Sequence, residues 1–119
     1  MTKKSIMNAV SFRYVLLNSY KRMNIQEKEL VVLLMIDLLL EQGNSFVTND
    51  MLSLKMNYSS SEIDKIMAGL MKRGFVLLNT KGNKIKTSID PLKEKAYSQF
   101  KKTMEEESAD LLSEEKENE

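Results

Sequence analysis

Between Thr48 and Ile89 the chain carries the signals of two short helices joined by a turn and followed at once by a two-stranded hairpin. That order constrains the fold more than any single residue. Thr48 is placed to cap a helix over Asn49 to Lys55, Met56 to Tyr58 make a turn, and Ser59 with Glu62 forms an S-x-x-E capping box that opens a second helix. Gly74 stops this helix, because glycine accepts the left-handed backbone of a C′ position. Phe75 to Thr80 then read as a strand and Lys81-Gly82-Asn83 as its turn. Lys84 to Ile89 alternate as a half-exposed return strand, with Lys84 and Lys86 out, Ile85 in, and Thr87 in or neutral. The layout is a winged helix-turn-helix, mainly α with a small β-wing.

A chain of 119 residues with 42% hydrophobic composition holds one domain with a modest core. It has no Cys, which excludes disulfides and thiolate chemistry, and no His, which removes the usual general base near neutral pH and the commonest metal ligand. There is no Gly-rich phosphate loop, nucleophile elbow or metal-ligand spacing. No catalytic, metal or cofactor-binding residue is therefore assigned, and the expectation is a non-enzymatic protein without a cofactor. Met1 to Val10 lacks the apolar core of a signal peptide. The longest apolar run, Leu30 to Leu40, is far short of the ~20 residues of a membrane span, so a soluble, cytoplasmic protein is expected.

The net charge of +1 hides a division. Up to Lys102 there are 17 Lys and Arg against nine Asp and Glu, a balance of +8, whereas Thr103 to Glu119 carry one Lys and eight acids, a balance of −7. Residues 105–119 read as an acidic, disordered tail or linker, or as a segment that folds back on the basic face and competes with nucleic acid.

Residues 1–12 read as an N-terminal arm and 13–104 as the winged-helix domain. Leu16, Leu17, Tyr20 and Met23 recur at helical spacing, which predicts an additional amphipathic helix over Arg13 to Met23 that Asn24-Ile25 breaks. Gln26, Glu27 and Glu29 suit the first turn of the next helix, which continues to Glu41 before Gly43. Ser45 to Val47 predict a short strand pairing with the wing. Asp90-Pro91 opens a C-terminal helix, in which Leu92, Ala96, Phe100 and Met104 recur at i+4 and which is predicted to reach about Glu106.

Ten of the eleven residues from Leu30 to Leu40 are apolar, so this helix has almost no polar face. A helix apolar all round is buried all round. Either it is a central core helix with one or two exposed leucines, or part of it lies in a self-association interface. The interface reading names Leu30 and Leu34, together with Ile6, Met7, Val10 and Phe12 of the arm, and predicts a dimer or tetramer.

On the second helix of the helix-turn-helix, Ile63, Ile66, Met67, Leu70 and Met71 fall on one inward face. Ser61, Lys65, Ala68 and Lys72 point outward, with no Arg, Asn or Gln to read base edges. Lys65, Lys72, Lys81, Lys84 and Lys86 are then either solubilising surface charges or weak, non-specific phosphate contacts. In the wing, alternation sends Phe75 and Leu77 one way and Val76 and Leu78 the other. Phe46 and Leu78, with Asp90 at the rim, are candidates for a partner-docking patch; the alternative is packing under the last helix with Tyr97 and Phe100.

Three segments carry a resemblance: E-L-V-V-L-L-M-I at Glu29 to Ile36, G-N-S-F-V-T-N-D-M-L at Gly43 to Leu52, and L-M-K-R-G-F-V at Leu70 to Val76. They resemble the N-terminal domain of DnaD, the primosomal replication-initiation protein of low-GC Gram-positive bacteria and their phages, over about Val10 to Tyr97. The order and spacing of the elements carry the likeness. It implies a non-enzymatic, oligomerising scaffold module in primosome assembly and helicase loading, with the replication initiator and helicase-loading proteins as partners. In that family the main DNA-binding activity is implied to lie in a separate C-terminal domain, and the acidic stretch after Lys102 occupies the place of the family's interdomain linker. The rival reading is a winged-helix DNA-binding transcription regulator, which would bind a short duplex with sequence preference at ~0.15 M salt.

Overall fold

The computed structural model describes residues 11–117, and side-chain environments up to residue 109. These residues form five helices and one antiparallel hairpin: α1 (Phe12–Ser19), α2 (Glu27–Glu41), α3 (Asn49–Lys55), α4 (Ser60–Lys72), β1 (Leu77–Lys81), β2 (Lys84–Ser88) and α5 (Asp90–Glu117). They group into two compact units, Ile25–Leu92 on one side and the segments before Ile25 and after Leu92 on the other.

The unit Ile25–Leu92 holds the helix-turn-helix and the wing. Its helices start where side chains relieve unpaired amides. The Glu29 carboxylate accepts from the Gln26 amide at 2.9 Å, the Thr48 hydroxyl from Met51 at 3.1 Å, and the Ser59 hydroxyl from Glu62 at 3.2 Å. α4 ends as the sequence predicts. Gly74 has φ +75°, its amide bonds the Met71 carbonyl at 3.0 Å, and the Phe75 amide reaches back to Leu70 at 3.0 Å, which is a Schellman closure. α2 packs on α3 and α4, and α3 on α4. Leu33, Ile36, Leu52, Ile63 and Leu70 are fully buried, each stabilising the fold by about 1.5–3 kcal/mol relative to exposure. Asn49 donates to Asp64 at 2.9 Å, fastening the start of α3 to α4 on the solvent side.

The hairpin turns on Gly82-Asn83, with Gly82 at φ +65°, a value that favours glycine at the first position of a tight two-residue turn. Its register pairs Leu77 with Ser88, Leu78 with Thr87, Asn79 with Lys86, Thr80 with Ile85 and Lys81 with Lys84. Ser45 to Val47 do not form the expected third strand. The segment is joined to β2 by one backbone bond, Thr87 amide to Ser45 carbonyl at 2.8 Å, and one side-chain bond, Val47 amide to Thr87 hydroxyl at 2.9 Å. The threonine hydroxyl takes the place of a second ladder bond.

Three side-chain assignments change. Phe75 and Val76 are both buried and Leu77 and Leu78 both exposed, because the strand begins only at Leu77 and the Schellman bond folds the two preceding residues into the core. Ile85 is 43% exposed: it lies one step nearer the hairpin tip than Thr87, and Thr87 is the β2 residue that enters the core. Met71, expected on the inward face of α4, is exposed, since it lies at the edge of the Ile63–Met67–Leu70 stripe.

In the other unit, Ser11 caps α1 by accepting from the Tyr14 amide at 3.3 Å. α1 is shorter than expected and buries Val15, Leu16 and Ser19, leaving Leu17 exposed; Asn24, at φ +57°, closes the turn that follows. The Tyr14 and Phe100 rings meet edge to face at 5.9 Å, Lys93 lies 5.4 Å over the Phe12 ring, and Arg22 pairs with Glu106 at 2.5 Å. α5 runs to Glu117, past the expected end near Glu106, so residues 105–117 of the stretch read as a disordered tail or linker stand within helix. Glu, Lys, Ala and Leu are strong helix formers, and Lys101 and Lys102 stand four residues before Glu105 and Glu106.

Candidate docking surface

The inner face of the wing opens into a groove lined by Phe46, Val47, Thr48, Asn49, Asp50, Met67, Met71 and Leu78, with a volume of about 340 Å³. Register places Leu78, Thr80, Ile85 and Thr87 on this face. Thr87 is buried and anchors the Ser45 to Val47 segment, which carries Phe46 to the groove edge. Phe46 is 39% exposed and Leu78 44%, so the two proposed anchors are brought together and neither is consumed by the core. Met67 and Met71 complete the groove, and the sequence reading did not assign them to it. The usable signal is Met71, one turn after Met67, at the edge of an apolar stripe; unbranched methionine adapts its shape to different partners. Asp50 puts a carboxylate in the lining. Asp90 is exposed at the start of α5 and is not among the groove residues.

The residues proposed for self-association separate. Leu30 is 5% exposed and belongs to the core, which corrects its assignment to an interface. Leu34 is half-buried, and Phe12 is half-buried beneath Lys93. Ile6, Met7 and Val10 lie outside the described residues. What α2 leaves open is a stripe from Val31 through Leu34 and Met35 to Leu38, with Val31 and Leu38 exposed at the i, i+7 spacing of one helix face.

The five lysines also separate. Lys65 and Lys72 are exposed on α4, whereas Lys81, Lys84 and Lys86 all fall on the outer face of the hairpin, opposite the groove. Among the described residues no cluster of acids suits a metal ion, and no helix is long and apolar enough to cross a membrane.

The family model for the DnaD N-terminal domain matches residues 12–107. The chain belongs to the DnaD N-terminal domain family. That family is one of bacterial replication initiation, a scaffold family not known as enzymatic. The fold agrees: the crystal structure of the N-terminal domain of DnaD from Geobacillus kaustophilus HTA426 is similar at a TM-score of 0.65 and 24% identity, covering 92% of this chain and 99% of that one. No curated protein matches the chain.

Proposed function

We propose that this DnaD-family chain is a non-enzymatic, cytoplasmic scaffold module of primosome assembly and helicase loading. Its residues 13–104 act as one domain that self-associates as a dimer or tetramer and docks a second initiation protein through the wing. The observation that carries this reading is the groove at Phe46 and Leu78. An apolar, methionine-lined depression with two large half-exposed side chains suits a partner's apolar anchor, which is how interfaces concentrate their binding energy. The apolar stripe of α2 supports self-association. The outward face of α4 speaks against the transcription-regulator reading, since Ser61, Lys65, Ala68 and Lys72 offer no side chain that makes a bidentate contact to adenine and only lysine for guanine.

Calorimetric titration of the chain with a bacterial replication initiator and with helicase-loading proteins tests the docking. One of them is expected to bind the wild-type chain and to lose at least about tenfold in affinity with Phe46→Ala or Leu78→Ala, a loss of about 1.4 kcal/mol. Equal affinity of wild type and both variants would reject the groove as the docking site.

A further inference from the structure

The hairpin is two-faced. Its inner face carries Leu78, Thr80, Ile85 and Thr87; its outer face carries Leu77, Asn79, Lys81, Lys84, Lys86 and Ser88. All three wing lysines therefore stand on one exposed face, and no Asp or Glu occurs from Leu77 to Ile89 to neutralise them. Lys81 is directly opposite Lys84, an arrangement of like charges that works against the hairpin. Lys84 and Lys86 are one strand repeat apart, about 6.8 Å, which gives a row of cations with the polar side chains of Asn79 and Ser88 alongside.

We propose that the outer face of the wing is a nucleic-acid backbone contact, in which Lys81, Lys84 and Lys86 neutralise phosphates without reading sequence. Phosphate recognition needs only cations and hydrogen-bond donors on an accessible ridge, and this face supplies both. An acidic protein partner is less well served, because the face carries no aromatic anchor and Leu77 is its one apolar side chain. The lack of an aromatic ring also removes the stacking platform that single strands use, so duplex is the favoured form. Lys65 and Lys72 are outside this site: they lie on α4, whose first turn brings in Glu62 and whose Asp64 adds a second carboxylate. The site is independent of the groove, which opens on the other face of the same hairpin.

The experiment is fluorescence anisotropy of the full chain with short duplexes of unrelated sequence across a salt series. Three phosphate contacts predict a slope of about −2.7 in log K against log salt, a fall of about 40-fold between about 50 and 200 mM. Lys81→Gln, Lys84→Gln and Lys86→Gln combined should abolish most of the binding, and each single change should reduce the slope by about one. The thermal midpoint of the triple variant should not fall, since an exposed repulsion has been removed. A charge-matched control, Lys65→Gln with Lys72→Gln and Lys101→Gln, should keep both affinity and slope. Equal loss in the control, or unchanged binding in the wing variant, overturns the proposal. So does an unbound duplex alongside wing-dependent binding of an acidic peptide with the sequence of residues 105–119, which would assign the face to an acidic protein segment.

Discussion

The Val47 amide donates to the Thr87 hydroxyl at 2.9 Å, and the Thr87 amide donates to the Ser45 carbonyl at 2.8 Å, so one buried threonine clamps the segment that carries Phe46. The groove keeps its shape through this clamp, because the segment forms no strand of its own. Thr87→Val preserves the side-chain shape and leaves the buried Val47 amide without its partner. It should lower stability by about 1–3 kcal/mol in chemical denaturation, whereas Thr87→Ser should lose less. A Thr87→Val protein as stable as wild type would show that the bond does not hold the segment.

Two glycines of the same helical region should respond in opposite directions to alanine. Gly74 is held at φ +75°, where a Cβ is strained, and Gly74→Ala should destabilise by about 1–2 kcal/mol. Gly69 lies inside α4 with nothing within 4 Å of an added Cβ, so Gly69→Ala should stabilise by about 0.4–1 kcal/mol. Thermal melts of the two variants check both signs, and a shared sign would contradict the Schellman closure or the open helix face.

Anchors that serve a partner should be cheap to remove from the isolated chain. Phe46→Ala and Leu78→Ala should each cost about 1 kcal/mol or less, since both side chains are already partly in water. Leu70→Ala, at a fully buried position of α4, should cost about 2–5 kcal/mol. If the Phe46 and Leu78 losses match that of Leu70, the two residues are core and the docking role fails.

Local chemistry was legible in the sequence wherever it is decided within a few residues. Thr48 and Ser59 cap the helices expected of them, Gly74 ends α4, and the wing turns at Gly82. Burial that depends on distant neighbours was not. Strict alternation through Phe75, Val76, Leu77 and Leu78 presumes a strand, yet the first two residues belong to the helix closure and only the last two to the hairpin. For α2, an apolar circumference cannot say which residues meet the core: Leu30 does, and Val31 and Leu38 do not. The partial exposure of Phe46 was legible because a large apolar side chain beside the Gly-Asn-Ser turn has little chain nearby to cover it, whereas Leu78 is exposed together with Leu77 and not in alternation with it. Met71 was missed because it sits where the apolar stripe gives way to solvent.

The proposed scaffold role rests on self-association, and the mass of the chain in solution tests that most directly. Light scattering coupled to size-exclusion chromatography, at tens of micromolar protein, should give a dimer or tetramer of the 13.7 kDa chain. Val31→Glu with Leu38→Glu should reduce the order of assembly while helical content persists, since both side chains are exposed on α2. A monomeric mass for the unmodified chain across that range would contradict the account.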